Sequence, residues 1–276
     1  MKKTIIQIYE VQKPKEAQAL VDLGVNHIGS VLVDQAAWKK PAIRKTVQVI
    51  QQSGARSGLI PLFQDPFTIF QAVDYYQPDI VHFCEVLSPF AGEYATMVRE
   101  YDSMLSLQLD VKDRFPGVDI MRSISVPRPG LPQTDEIQKN ILSFAEHFAP
   151  FSDYFLIDTL IWNPGAESRQ PVPGYVGITG AVCDWNMARA VIEASPIPVI
   201  LAGGLSGENV FEAVVRLKPA GVDSCTKTNA LDRNGRPVRF KKDMKKVSRF
   251  IDEVRRADRF VQGVSFAEKC VDAKRI

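Results

Sequence analysis

Eight short runs rich in Val, Ile and Leu, each followed by a stretch of helical periodicity, constrain this chain more than any other feature. The runs span 4–9, 27–33, 58–63, 79–84, 119–126, 154–158, 198–202 and 221–225. Most are continuous rather than alternating, as in parallel strands covered on both faces. Pro14 is placed to open the first helix, with Ala17, Leu20 and Val21 on one face. Asp184 is placed to cap the sixth, which carries Met187, Ala188, Val191 and Ile192. Ser206 is placed to cap the seventh, with Val210, Phe211, Val214 and Val215 inward. Eightfold β/α alternation predicts an α/β fold, a (β/α)8 TIM barrel over 1–257, followed by a 258–276 tail that docks on the barrel or mediates association. A doubly wound sheet is the alternative. That fold usually carries a glycine-rich phosphate turn after its first strand, whereas Tyr9-Glu10-Val11-Gln12 has no glycine. An extended fourth helix is expected within 88–115. A long loop at 162–175, on the catalytic face of a barrel, reads either as a lid or as ordinary surface.

The 276 residues suit one large domain. Lys and Arg together number 34 against 32 for Asp and Glu, so no global charge favours nucleic acid or a membrane. The basic residues from Arg233 to Arg259 read as the solvated face of a terminal helix. No apolar run reaches the length of a membrane span, and Glu10 interrupts the apolar N-terminus too early for a signal peptide. Cytoplasm is the expected compartment. Cys84, Cys183, Cys225 and Cys270 lie far apart without paired spacing, which suggests reduced thiols. No metal and no cofactor are expected. The partner is expected to be a small phosphorylated metabolite, and a homodimer remains open.

A barrel carries its functional groups at the C-terminal ends of its strands. Asp158 closes the apolar run Tyr154-Phe-Leu-Ile-Asp, where desolvation would raise a carboxyl pKa toward a range useful for acid–base work. Its structural alternative is a loop cap. Glu10 and Glu85 are candidates for the second proton-transfer group, with Tyr9 as a polar partner, or else they are surface acids. His82, two residues before Cys84 on the same strand face, and Arg122, near the end of the fifth strand, are candidates for substrate binding. An interior hydrogen-bonded histidine is the alternative for His82. Three turns suggest a phosphate cradle: Gly177, Thr179 and Gly180; Gly203 and Gly204; Cys225 and Thr226, with Lys227 beside them. Glycine lets backbone approach a ligand, and N–H groups at helix starts attract anions.

The run Pro198-Val-Ile-Leu-Ala-Gly-Gly-Leu-Ser-Gly-Glu-Asn-Val210 closely resembles the strand-seven motif of phosphoribosylanthranilate isomerase. The similarity extends through Lys218-Pro-Ala-Gly-Val-Asp223, Lys242-Asp243 and Gly177-Ile-Thr-Gly-Ala-Val-Cys-Asp-Trp185, with Lys13-Pro14 and Gly24-Val25 echoing the first βα unit. The resemblance implies a TIM barrel that converts an N-linked ribose 5-phosphate to a ketose by proton transfer, with Asp158 as the general acid. The family's first strand ends in Lys-Ile-Cys-Gly, its cysteine being the base; here the residues are Gln7-Ile8-Tyr9-Glu10. Its Gln-Leu-His-Gly appears as His82-Phe-Cys-Glu85, and its Ser-Pro-Arg, which grips the anthranilate carboxylate, as Lys39-Lys40-Pro41. Its Ser-Ser-Gly-Val-Glu appears as Cys225-Thr-Lys-Thr-Asn229. The expectation is an aldose–ketose isomerase related to this family, with Tyr9 replacing the family base. The alternatives are authentic phosphoribosylanthranilate isomerase or a barrel that binds a phosphometabolite without turnover.

Overall fold

The computed structural model describes residues 3–89, 94–130, 134–161 and 170–272. Its elements are β1 (Ile5–Ile8), α1 (Pro14–Asp22), β2 (His27–Leu32), α2 (Pro41–Gln52), β3 (Arg56–Pro61), α3 (Pro66–Tyr76), β4 (Ile80–Phe83), α4 (Tyr94–Arg114), β5 (Asp119–Pro127), α5 (Asp135–Phe148) and β6 (Tyr154–Leu160). These are followed by α6 (Trp185–Ala194), β7 (Val199–Leu201), α7 (Val210–Leu217), β8 (Gly221–Ser224), β9 (Asn229–Leu231), β10 (Pro237–Lys242) and α8 (Met244–Asp272). Strands β1 to β8 form one closed parallel barrel in chain order, with Ile5–Ile8 paired to Gly221–Ser224 at the seam. The fold is a TIM barrel.

Local chemistry explains the boundaries. Pro14, Pro41 and Pro66 open α1, α2 and α3, where a fixed φ suits the first turn and no amide is wasted. Asp184 caps α6, its Oδ1 accepting from the N–H groups of Asn186 and Met187. Ser206 does not cap α7 as expected. That helix starts at Val210, and Ser206 instead accepts from the Glu208 N–H in the preceding turn, while Asn209 Oδ1 takes up the Ser206 N–H.

The two-residue period of each strand decides what reaches the barrel interior. Tyr9, Val31, Ile60, Ile80, Cys84, Met121, Leu156, Ile200 and Ala202 form the inner cluster. Their out-of-phase neighbours pack under the helices, with Ile6, Ile8, Ile28, Ile124, Phe155, Ile157 and Val222 in one layer and Leu59, Val81, Phe83 and Ile120 in another. This in-or-out phase, more than apolarity, sorts the candidate residues.

Several expectations change. The basic stretch beginning at Arg233 is not one helical face, because β9 and β10 pair as an antiparallel hairpin before α8 begins. The Asp232 N–H donates to the Arg236 carbonyl at 2.8 Å around Asn234-Gly235, with Gly235 at φ +75. Helix α8 runs through position 258, where a separate tail was expected. Of the long loop, 162–169 lies outside the described residues. Its return strap pairs with the end of β4 through Val86 N–H to Gly174 O and Val176 N–H to Cys84 O, both 2.9 Å. Of the expected fourth-helix segment, 90–93 lies outside the described residues. No helix among the described residues is long and apolar enough to cross a membrane.

Candidate active site

The three glycine turns meet at the mouth of the barrel. A Cβ placed on Gly180 would lie 3.1 Å from Thr226 Cγ2, and one on Gly204 would lie 2.7 Å from the Ala181 carbonyl carbon. Thr226 Oγ1 donates to the Ile178 carbonyl at 3.4 Å, and Thr159 Oγ1 to the Ala181 carbonyl at 2.7 Å. Thr179, Gly180, Gly203, Gly204, Cys225, Thr226 and Lys227 line one small cleft, with Asp158 and Asp223 at its inner edge. The amides of Gly180, Gly203 and Gly204 find no hydrogen-bond acceptor among the described residues. A cleft bounded by uncommitted N–H groups and a lysine is suited to an oxyanion.

Gly177 stands behind this cleft with a different task. At φ +106 it lets the backbone pass so close to Asp158 that a Cβ there would fall 2.3 Å from Oδ2. Asp158 shows part of its surface to the mouth. Burial pushes its pKa up to about 6, against the opposing Thr159 N–H, which donates to Oδ1 at 2.7 Å.

Deeper in, the cleft leads into a narrow chamber, about 40 Å³ in cavity volume and open toward the mouth, walled by Val31, Ile60, Leu62, Leu156 and Val176. Glu10, Asp158 and Asp223 all line it. Asp223 is buried, and its pKa is pushed up to about 8, first by burial and then by the charge of Asp158, with the Gln7 hydrogen bond and Lys242 opposing. Its Oδ1 has no hydrogen-bond partner among the described residues. Sequence reasoning did not single out Asp223. The available signal was its phase, since Gly221, Asp223 and Cys225 alternate along one strand face.

Glu10 also borders the chamber, 1% exposed and at φ +65, a conformation unusual for a residue with a side chain. Arg239, reaching in from β10, donates through Nε to Glu10 Oε1 at 2.6 Å, and its Nη2 lies 2.5 Å from the same oxygen. This partner was not anticipated.

Three other candidates sit differently from the expectation. Glu85 and Arg122 are one residue out of phase with the inward Cys84, Met121 and Ser123, so they turn away from the mouth. They pair with each other at 2.5 Å between sheet and helices, where Arg122 also donates to Gln108 and stacks over Phe83 and Phe148. Neither lines the chamber. His82 does face inward, but Nδ1 lies 3.0 Å from Tyr9 Oη and Nε2 lies 2.8 Å from Ser123 Oγ. Burial lowers its pKa to about 3, so it is a neutral ring with both nitrogens engaged. Tyr9 fills the barrel interior over Gly29 and Gly58; a Cβ on Gly29 would lie 1.9 Å from its ring. Burial, then Asp223 and Cys84, raise the phenol well above its ordinary value, so Tyr9 is not a base near neutral pH.

Residues 128–253 match the family profile of N-(5'-phosphoribosyl)anthranilate isomerase. The chain is 37% identical over 145 residues to the enzyme of that name from Methanocella arvoryzae, covering 52% of this chain and 54% of that protein. It is 25% identical over 221 residues to the Synechococcus elongatus enzyme, covering 79% and 84%. The Pyrococcus furiosus isomerase structure superposes with a TM-score of 0.59 at 18% identity, over 92% of this chain and 99% of that one. Over residues 128–253, the chain is similar to the phosphoribosylanthranilate isomerase family. Against the first curated relatives, its match spans between about half and two thirds of their length. The matched residues include the three glycine turns, whereas Tyr9 and Glu10 lie outside them.

Proposed function

We propose that this barrel isomerises a phosphorylated sugar, aldose to ketose, by proton transfer between Asp158 and Asp223 while the three turns hold the phosphate ester. One observation carries the reading: two carboxyls with raised pKa stand at the inner edge of a cleft built from uncommitted amides. Two neighbouring acids that cannot both ionise freely titrate as a pair. Between about pH 6 and pH 8 the pair holds one proton, so the mouth contains an acid and a base together.

In this mechanism the protonated partner gives its proton to the ring oxygen, and the C1–ring-oxygen bond breaks as the C1 substituent's lone pair forms a double bond to C1. The ionised partner then removes the C2 proton, and the electrons of that C–H bond form the enol. C1 of the enolamine then takes up a proton while the C2 hydroxyl gives one up, which leaves the ketone and restores the pair's single proton. The ester in the cradle fixes C1 and C2 against the carboxyls, which makes the transfers intramolecular.

The test is turnover of N-linked ribose 5-phosphates by Asp158→Asn and Asp223→Asn. Each is expected to lower kcat by at least about 100-fold, with calorimetric affinity for ribose 5-phosphate nearly unchanged. Wild-type turnover in Asp158→Asn removes that residue from the chemistry. Tight binding with no turnover by the wild type favours a phosphometabolite sensor. The names of the relatives favour a second reading, in which the substrate is phosphoribosylanthranilate itself. Growth of a tryptophan auxotroph lacking that isomerase supports it, and no growth despite soluble expression counts against it.

A further inference from the structure

The chamber beyond the cradle has a definite polarity. Three carboxyl side chains, Glu10, Asp158 and Asp223, border it, and among the described residues no lysine or arginine does. The lysines of the loop after β2, the region corresponding to the family's carboxylate grip, do not line the chamber. Lys39 Nζ lies 4.9 Å over the Tyr75 ring on α3, and Lys40 is the N-cap residue of α2. Among the described residues Arg239 is the cation that comes near, and Glu10 Oε1 already holds it. What remains unanswered is Glu10 Oε2, buried without a hydrogen-bond partner among the described residues. A buried carboxylate oxygen left unpaired is costly, and a ligand that donates to it recovers that cost. A ligand carboxylate in the same place has no proton to donate and leaves that oxygen unpaired.

Glu10 is also built in at a cost. Its φ of +65 is the backbone shape that glycine adopts freely, and a buried, charged residue persists in it only where the surroundings hold it there. The hairpin residue Arg239 supplies that hold, fixing one oxygen and leaving the other to the chamber.

From this we infer that the substrate's headgroup, the part attached at the sugar C1, carries nitrogen-borne N–H donors such as a carboxamide or amidine and no carboxylate, and that Glu10 Oε2 is the group that recognises it. The inference rests on the sugar-phosphate reading above and specifies its substrate class. The aliphatic walls Val31, Ile60, Leu62 and Leu156 accept the apolar faces of a flat headgroup, while the cradle takes the ester at the opposite end.

Two stable, isosteric reduced analogues test it: 1-amino-1-deoxyribitol 5-phosphates whose nitrogen bears either a 2-carbamoylphenyl or a 2-carboxyphenyl group. Calorimetry on the wild type is expected to show the carbamoyl compound bound at least about tenfold tighter, the scale of one charged hydrogen bond. Glu10→Gln is expected to shrink that ratio severalfold, while affinity for ribose 5-phosphate stays unchanged. Equal or tighter binding of the carboxyl compound by the wild type overturns the headgroup assignment, whether or not the variant folds. Binding of ribose 5-phosphate but of neither analogue also overturns it and leaves the sugar-phosphate reading intact. Failure of ribose 5-phosphate to bind overturns both.

Discussion

A Cβ on Gly177 would lie 2.3 Å from Asp158 Oδ2, and that single distance ties backbone shape to chemistry at this site. Gly177→Ala should push the carboxyl off its position and strain a φ of +106, costing about 1–3 kcal/mol of stability. It should also lower kcat by at least about tenfold, since small misplacements of a reacting group are expensive. Denaturant melts and steady-state kinetics on one preparation read both effects. Tyr9 and Gly29 form a second such unit. Gly29→Ala should destabilise the wild type by about 1–3 kcal/mol through overpacking against the Tyr9 ring, and much less in a Tyr9→Cys background. A double-mutant cycle measures the coupling, and additive effects would refute the contact. At this scale the position of Asp158 at the barrel mouth was legible in the sequence, because an acid that closes an apolar strand lands at the strand's C-terminal end. The sequence disclosed Asp223 poorly, since that acid sits mid-run and only its alternation with Gly221 and Cys225 marks it as inward. Arg122 and Glu85 misled for the mirror-image reason: their residue types suited a site, but their strand phase did not.

Among the elements, the β9–β10 hairpin is what the strand-and-helix pattern concealed. Asn234-Gly235 is a strong hairpin signal, yet the surrounding run of Arg and Lys suggests a solvated helix instead. The hairpin's consequence is long-range, because its Arg239 neutralises Glu10 at the far end of β1. Arg239→Ala should leave a buried carboxylate unpaired. The guanidinium is 34% exposed, so the loss should be nearer ~2 kcal/mol than the larger value for a fully buried pair. Arg239→Ala combined with Glu10→Gln should recover part of that loss, because no buried charge is then left alone. Chemical denaturation of the two variants decides the matter; a double variant less stable than Arg239→Ala would show that the pair does not act through charge. Lys242, from the same hairpin, donates to the Cys225 carbonyl at 2.9 Å and to Asn229 Oδ1 at 2.6 Å. One insertion therefore supports both the cradle wall and the acid in the chamber.

For the molecule as a whole, barrel closure was legible because eight continuous apolar strands in alternation with helices have few other ways to be buried on both faces. What the pattern could not convey is that the interior holds groups whose ionisation is displaced in opposite directions, since burial follows from closure and not from composition. Asp158 and Asp223 have folded pKa values raised from 3.8 to about 6 and about 8. Their contribution is complete below pH 4 and is lost as pH rises through those values. His82 and His27 are lowered from 6.5 to about 3 and about 4, so theirs is complete above pH 6.5 and lost on acidification. From about pH 4 to 6 the two pairs oppose each other, because the folded state holds extra protons on the acids and lacks them on the histidines. Above pH 6.5 the histidines are neutral in both states and Asp158 is ionised in both. Asp223 alone still differs, so stability should fall by up to roughly 1.4 kcal/mol per pH unit toward pH 8. Guanidinium midpoints should stay nearly level between pH 4 and 6.5, fall on the alkaline side, and fall again below about pH 4. Asp223→Asn should flatten the alkaline limb and leave the acid limb in place, because the asparagine has no proton to lose while both histidines remain. An alkaline limb unchanged in that variant would assign the titration to another group and remove Asp223 from the proton-sharing pair.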